Sequence, residues 1–137
     1  MTAVFSDTFY WIALTNPGDR YSQEALRFDD LFSGGAVYTT EEVLAEVLTF
    51  FATDIWLRSR AVETVREIVA DPAVHLVSQS HESFVSGFDL YAARPDKGDS
   101  LTDCISMQTM RREGLTDVLT NDRHFEQEGF WALFRDF

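Results

Sequence analysis

Four acidic side chains stand at positions where a carboxylate can do chemistry. Asp7 and Asp122 each follow a short run of residues that favour a β-strand. Glu46 lies inside a predicted helix, and Asp103 lies in the first turn of another. Carboxylates gathered in one crevice repel one another unless a cation is present, and Mg²⁺ binds such oxygens together with water and phosphate. The residue types therefore predict a site for a divalent metal ion.

A site of this kind favours the hydrolysis of phosphodiester bonds. Two ions about 3.5–4 Å apart can orient a water for in-line attack and stabilise the leaving oxygen. No side-chain nucleophile is then required. Zinc is disfavoured because Cys104 is the single cysteine and the three histidines are scattered along the chain.

Asp103 also has a purely structural interpretation. Ser100 and Asp103 have the spacing of a capping box, in which the acid accepts a hydrogen bond from the Ser100 backbone amide. Against this, Asp103 aligns with Met107 and Met110 on one stripe of the helix, and a cap alone does not need that alignment. The sequence alone does not decide between these two interpretations of Asp103.

The other three acids have structural alternatives as well. Asp7 and Asp122 each stand where a side chain could cap the helix or turn that follows. Glu46 borders the apolar arc of its helix, but Glu41 borders the other side, so the pattern does not single out Glu46. The four acids together favour a metal site more than any one of them does alone, because all four are expected to lie at the same edge of a sheet.

The elements that must position these acids alternate between strand and helix along the whole chain. This alternation predicts a parallel sheet with helices on both faces, whose strands all end along one edge. No linker interrupts the pattern, so we expect one domain over residues 1–137. The predicted strands are Ala3 to Ser6, Ala36 to Thr39, Val74 to Val77 and Val118 to Thr120. The predicted helices are Thr8 to Leu14, Asp19 to Phe32, Glu41 to Ala52, Asp54 to Ala70, His81 to Ala93 and one that starts after Ser100.

Further polar residues surround the last acid. Thr120 and Asn121 flank Asp122 and either orient it or contact phosphate, although turn chemistry alone explains Asn121. His124 is a candidate donor to the acids, with a structural histidine as the alternative. Asp99 adds another acid nearby, and the sequence leaves open whether it joins the site.

The chain ends in an aromatic segment. Phe125, Phe130, Trp131 and Phe134 follow the last predicted strand. We expect these rings to cover that strand, and the alternative is an aromatic surface for a partner.

The net charge works against nucleic-acid binding. The chain has 11 Lys and Arg against 23 Asp and Glu, a formal net charge of −12. A field of that sign repels phosphate, so a nuclease would need metal ions and a local basic rim. The candidates for such a rim are Arg94, Lys97, Arg111, Arg112 and Arg123, although solvated surface charge explains each of them alone. A basic protein partner also fits this charge.

The sequence also indicates where in the cell the protein is located. One cysteine cannot form an internal disulfide, which favours a reducing cytoplasm. The first residues lack the basic start and the long apolar run of a signal peptide. The longest uncharged apolar run, Phe9 to Leu14, is far too short to span a membrane. We therefore expect a cytoplasmic protein without a membrane segment.

Four motifs carry a resemblance to a known family: VFSDTFYWIAL, TTEEVLAEVL, DKGDSLTDCISMQTM and LTNDRHFEQEGF. The first is weak alone and the second is moderate, but the last two together are specific. With these motifs in this order, the chain resembles PIN-domain ribonucleases, and in particular the VapC-like toxins of bacterial toxin–antitoxin pairs. The resemblance covers nearly the whole chain.

The resemblance implies a fold, a site and partners. The fold is a PIN-like three-layer α/β/α sandwich around a central, mainly parallel sheet of roughly four to five strands. Asp7, Glu46, Asp103 and Asp122 would form an acidic quartet that binds Mg²⁺ or Mn²⁺. The implied activity is endonucleolytic hydrolysis of single-stranded or structured RNA. The implied partners are a second copy of the chain, as a homodimer, and an antitoxin made together with the toxin.

Two other functions are compatible with parts of the sequence. A phosphatase or phosphoacceptor domain could use Asp7 as a nucleophile, but Asp7-Thr8-Phe9 lacks the second Asp of a DxD loop. A non-catalytic module could use its acids to bind a basic partner, which the net charge favours. An intact quartet speaks against such a degenerate site.

Overall fold

One sheet of five parallel strands organises the residues that the computed structural model describes, which are 2–135. The strands are β1 (Ala3–Ser6), β2 (Ala36–Thr40), β3 (Val74–Val77), β4 (Asp117–Leu119) and β5 (Trp131–Ala132). Their order across the sheet is β3-β2-β1-β4-β5, so β1 lies at the centre. Every neighbouring pair is parallel, which confirms the sheet that the alternating pattern predicts.

Seven helices within residues 2–135 connect or flank these strands. They are α1 (Thr8–Thr15), α2 (Ser22–Leu31), α3 (Glu41–Phe50), α4 (Ile55–Ala70), α5 (His81–Ala93), α6 (Leu101–Glu113) and α7 (Arg123–Gln127). The predicted strands and helices are confirmed, with bounds that differ by a few residues. The sequence pattern did not predict the two-residue strand β5. No helix in the described residues is long and apolar enough to cross a membrane.

Side-chain caps fix where several helices begin. Thr40, Asp54 and Ser80 each accept a hydrogen bond from the backbone N–H three residues ahead, at 2.8–3.1 Å. These bonds satisfy amides that have no partner inside the helix. Gly114 follows α6 with φ at 70°, a left-handed conformation that glycine adopts without strain. The helix ends are therefore set by local chemistry.

The central strands and α6 contribute several of the most deeply buried side chains of the core. Val4 and Phe5 of β1 and Val118 of β4 are fully buried. Met107 and Met110 of α6 are fully buried as well, so the apolar stripe on that helix faces the core. Because β1 and β4 are buried in this way, the backbone from which the following side chains extend is held rigidly.

The aromatic tail divides between core and surface. Phe125, Phe130 and Phe134 are buried, as the sequence predicts. Trp131 is 71% exposed, and the prediction that it covers the last strand is wrong. Its strand β5 is the edge of the sheet, and alternate side chains of a strand point to opposite faces. Its neighbour Ala132 is buried instead.

The strand order creates a crevice beside β1. From β1 the chain adds β2 and then β3 on one side, and it returns to place β4 and β5 on the other side. In open α/β sheets the connections diverge at such a switch point, and binding sites form there, outside the carboxyl ends of the strands. Asp7 follows β1 and Thr120 follows β4, so both lie at this crevice.

The close packing of α5 on α6 gives a test of the fold. A Cβ at Gly87 would lie 2.3 Å from Cγ1 of Ile105 and 3.1 Å from its backbone N and Cα. Alanine normally stabilises a helix interior relative to glycine, but overpacking costs about 1–3 kcal/mol. We expect Gly87→Ala to lower the free energy of unfolding, measured with urea.

Ser86→Ala in the same helix is the matched control. It adds no atoms to the interface, and alanine is the better helix former, so its stability should equal or exceed that of the wild type. A Gly87→Ala protein as stable as this control would contradict the close contact between α5 and Ile105.

Candidate active site

Asp7 is a buried carboxylate with one oxygen unpartnered. Its side chain follows β1 and is 6% exposed. The Thr120 hydroxyl donates a hydrogen bond to Oδ2 at 2.9 Å, whereas Oδ1 has no hydrogen-bond partner among the described residues. Asp7 occupies the N-cap position of α1 but makes no capping bond with its side chain. Asp7 therefore stands at the predicted cap position without acting as a side-chain cap.

The surroundings of Asp7 make its ionised form costly. Burial is the largest cause that raises its pKa, and the negative charge of Asp103 is the next. The hydrogen bond from Thr120 works in the opposite direction. Together these effects raise the pKa of Asp7 to about 7. A cation beside Oδ1 would supply the charge that the protein itself does not.

Asp103 caps its helix and also belongs to the acidic edge. Its Oδ2 accepts a hydrogen bond from the Ser100 amide, and the Ser100 hydroxyl accepts one from the Asp103 amide, both at 3.0 Å. The pKa of Asp103 is raised to about 6, mainly by burial and in smaller part by the charges of Asp122 and Glu46. The two interpretations of Asp103 are thus compatible, because the cap aims the acid at the other carboxylates.

Glu46 is singled out by its contacts. The Thr8 hydroxyl, next to Asp7, donates a hydrogen bond to Oε1 of Glu46. The charge of Glu46 also raises the pKa values of Asp7 and Asp103, which places it beside them. Glu41 instead accepts a hydrogen bond from the Gln79 amide at 2.8 Å, and so joins α3 to the segment before α5. The helical pattern alone could not make this distinction.

Asp122 lies between Thr120 and His124. Its Oδ1 accepts a hydrogen bond from the His124 backbone amide at 2.9 Å and lies 2.8 Å from Nδ1 of the His124 imidazole. Its own amide donates to the Thr120 hydroxyl at 3.2 Å. The same hydroxyl donates to Asp7, so Thr120 links the acids that follow β1 and β4. Asp122 is both the cap of α7 and a member of the acidic edge.

Asp99 approaches this edge through His124. It is 8% exposed, and its Oδ1 has no hydrogen bond in the described part of the chain. That oxygen lies 3.5 Å from Nδ1 of His124. Burial is the main cause that raises the pKa of Asp99, and the charge of His124 lowers it. The imidazole therefore stands between two acids.

The predicted basic rim divides into bound and exposed side chains. Arg94 and Arg111 both bind Glu128, at 2.7 Å and 2.9 Å. Glu128 is nearly buried on its side chain, and the pair of guanidinium groups lowers its pKa. Lys97, Arg112 and Arg123 are exposed.

Two polar residues at this edge were missed by the sequence interpretation. Thr8 binds Glu46, and Tyr21 accepts a hydrogen bond from the Asn121 side chain at 3.2 Å. The position of Thr8 directly after Asp7 was the available signal. Tyr21 is 100 residues from Asn121, and no local pattern indicates that contact.

The oxygen-rich donors of this edge suit a hard, hydrated cation. Within residues 2–135, no three Asp, Glu, His or Cys side chains stand in an arrangement that could hold a metal ion by themselves. Mg²⁺ needs less, because it binds through one or two carboxylates and keeps several waters. The unpartnered Oδ1 of Asp7 and the raised pKa values of Asp7 and Asp103 are consistent with that mode of binding.

Comparison with known proteins identifies the family. The PIN domain family model matches residues 4–130. The chain belongs to the PIN domain family. This membership confirms the resemblance drawn from the four motifs, and it covers the helices and strands that position the acids. A comparison with curated proteins found no match.

A solved structure confirms the PIN fold. The crystal structure of VapC20 from Mycobacterium tuberculosis, a toxin that cleaves the sarcin–ricin loop, superposes with a TM-score of 0.85. The two sequences are 23% identical over 95% of this chain and 98% of that chain. At this identity the likeness concerns the fold, and it confirms the three-layer α/β/α architecture around a parallel sheet.

The buried acids of this PIN domain predict how stability depends on pH. An acid whose pKa is higher in the folded state destabilises the fold as pH rises from its unfolded value toward its folded value. For Asp7 that window runs from 3.8 to about 7. We expect the melting temperature of the metal-free protein, measured in EDTA, to fall as pH rises through this window.

Two substitutions separate this effect from general charge repulsion. Asp7→Asn removes the titrating group and should flatten the fall, leaving the share of Asp103, which ends at about pH 6, and that of Asp99, whose pKa is also raised. Asp89→Asn removes the same charge from an exposed position on α5 and should keep the wild-type slope. Equal slopes in both variants would contradict the assignment to Asp7.

Proposed function

We propose that this chain is a metal-dependent endoribonuclease that hydrolyses RNA phosphodiester bonds and serves as the toxin of a toxin–antitoxin pair. The observation that carries the proposal is the buried, half-unpartnered carboxylate of Asp7 at the switch point of the sheet. Its pKa is raised by burial and by Asp103, as expected for an acid that awaits a cation. Membership of the PIN domain family supports the same conclusion.

In this proposal the acidic quartet holds Mg²⁺ or Mn²⁺. When bound, the ion supplies positive charge for phosphate oxygens and an activated water. Asp7 offers its free Oδ1 while Thr120 holds the other oxygen. The Thr8 hydroxyl fixes Glu46, and the Ser100 cap fixes Asp103.

His124 and Asp99 act in this proposal as positioning residues. The His124 imidazole fixes the carboxylate of Asp122 from one side, at 2.8 Å. Asp99, 3.5 Å away from the same nitrogen, holds the imidazole in that orientation. Such outer partners keep ligand oxygens aimed at the ion and raise metal affinity. Lys97 and Arg123, which are exposed, could contact RNA directly.

The proposed partners follow from charge and from the likeness to VapC20. A net charge of −12 favours a basic antitoxin, which would cover acidic surface and keep the nuclease inactive. The sarcin–ricin loop that VapC20 cleaves makes structured RNA the first substrate to test. Phe84 and Phe88 on α5 are exposed and stacked, and such a surface supports a homodimer. The single free cysteine favours the cytoplasm as the place of action.

The activity is tested by cleavage of a fluorescently labelled RNA hairpin. The wild type should cleave it in Mg²⁺ or Mn²⁺ and lose activity in EDTA. Asp7→Asn and Asp103→Asn should each lower the rate more than about 100-fold, because each removes a proposed ligand rather than an outer partner. Asp89→Asn, on the exposed face of α5, is the control and should retain the wild-type rate.

The same variants should be compared by calorimetric titration with Mn²⁺. Weak or absent binding in Asp7→Asn, beside normal binding in Asp89→Asn, is the expected result. Cleavage that survives EDTA and both ligand substitutions would exclude the proposal. Normal folding with no metal binding in the wild type would favour a non-catalytic module.

The roles of His124 and Asp99 predict a graded effect on metal affinity. His124→Ala should weaken Mn²⁺ binding about 10- to 100-fold, because Asp122 loses the imidazole that orients it. Asp99→Ala should weaken it less, and Asp99→Asn should weaken it to a similar extent, since the 3.5 Å contact depends on the charge of Asp99 rather than on a hydrogen bond. Calorimetric titration measures all three. Wild-type affinity in His124→Ala would rule out the positioning role.

A further inference from the structure

A cation lies beside the acidic edge on a segment that no motif marked. Residues 16–21 connect α1 to α2 and end in Arg20 and Tyr21. The guanidinium carbon of Arg20 lies over the Tyr21 ring, 5.3 Å from its centroid. The Tyr21 hydroxyl accepts a hydrogen bond from the Asn121 side chain at 3.2 Å. Since Asn121 directly precedes Asp122, this connection joins Arg20 to the edge that carries the acids.

Local contacts hold the connection between α1 and α2 in one conformation. The Asp19 carboxylate accepts a hydrogen bond from the Tyr21 amide at 2.8 Å, and the Asn16 side chain accepts one from the Gly18 amide at 2.9 Å. The Tyr21 ring packs edge-on against Phe9, with 4.9 Å between the centroids. Tyr21 is thus fixed at both ends, by its backbone and by its hydroxyl.

Arg20 is free to bind a ligand, unlike three other arginines near this side of the molecule. Arg94 and Arg111 bind Glu128, and Arg135 binds Glu126 at 2.7 Å. Arg20 is exposed and forms no salt bridge within the part of the chain that the structure describes. Its stacked position holds the guanidinium group without engaging its hydrogen-bond donors.

We propose that Arg20, held over Tyr21, binds a backbone phosphate of the RNA and positions the strand at the acidic edge. This inference rests on the proposed ribonuclease function. A net charge of −12 repels an RNA strand, so a fixed cation beside the site has a large effect on binding. The guanidinium group suits a phosphate because its planar donors match two phosphate oxygens at once.

The test measures binding of a fluorescein-labelled single-stranded oligoribonucleotide by fluorescence anisotropy in Mg²⁺. The proteins carry Asp7→Asn so that the strand stays intact, and this substitution also removes one negative charge from the crevice, which offsets the weaker metal binding expected of it. We expect Arg20→Ala to weaken binding about 10-fold or more, the size of a lost charge-assisted hydrogen bond. The slope of log Kd against log salt concentration should fall by about 0.7, the value for one phosphate contact to a single strand.

Arg66→Ala is the matched control for charge. Arg66 is exposed near the end of α4, which leads to the amino-terminal end of β3, at the opposite edge of the sheet. The substitution changes the net charge by the same amount, and it should leave both the affinity and the salt slope unchanged. A difference between the two variants therefore reports a local contact rather than the overall field.

Tyr21 variants test whether the aromatic support matters. Tyr21→Ala removes the ring beneath Arg20 and should weaken binding nearly as much as Arg20→Ala. Tyr21→Phe keeps the ring and loses the hydroxyl, so it should retain most of the affinity. In proteins with Asp7 intact, Arg20→Ala should raise KM with little change in kcat, as expected for a contact made equally before and during cleavage.

The outcomes separate this inference from the function on which it rests. If the wild type cleaves RNA but Arg20→Ala matches Arg66→Ala in affinity and salt slope, the role of Arg20 is overturned and the function stands. If Tyr21→Ala binds as tightly as the parent protein, the support by the ring is overturned. A wild type that neither binds nor cleaves RNA overturns both proposals.

Discussion

The hydrogen bond between Thr120 and Asp7 joins the two strands on which the acidic edge depends. It spans 113 residues and ties the residue after β4 to the residue after β1. The Thr120 hydroxyl also accepts from the Asp122 amide, so one side chain sets the spacing of two acids. Without this bond, the Asp7 carboxylate would lose the contact that does most to lower its pKa, in a site where burial already opposes its charge. The parallel pairing of β1 with β4, in which Ser6 lies opposite Leu119, brings the residues that follow the two strands close together.

Local chemistry explains why so much of the fold follows from the sequence. Helices α3, α4 and α5 begin at side chains that cap them through contacts three residues away, and such contacts are visible in the sequence. The alternation of short apolar strands with helices leaves few topologies other than a parallel sheet. That sheet brings the residues after its strands to one edge, which is why the sequence alone places Asp7 and Asp122 together.

The parts that escaped prediction depend on contacts between distant segments. Glu41 and Glu46 border the same apolar arc, and only the fold shows that Glu41 binds Gln79 while Glu46 meets Thr8. The sequence presents the helix cap and the metal site as alternative roles for Asp103. In the structure Asp103 caps its helix and also interacts electrostatically with other acids, so the two roles are combined. The prediction for Trp131 was wrong because β5 was not predicted, so the face of the sheet on which this side chain lies could not be inferred from the sequence.

The net negative charge of the chain is compatible with the proposed function when the ion pairs of its arginines are taken into account. Glu128 binds both Arg94 and Arg111 and offsets one of their two positive charges, so these cations attract phosphate less strongly than two unpaired arginines would. A crevice lined with carboxylates then repels RNA unless an ion occupies it. Productive binding would therefore require metal first, with Arg20 adding a fixed positive charge beside the site. In that arrangement the negative charge of the surface opposes the binding of nucleic acid away from the site. The bound ion reduces the repulsion at the crevice, so a strand can bind there.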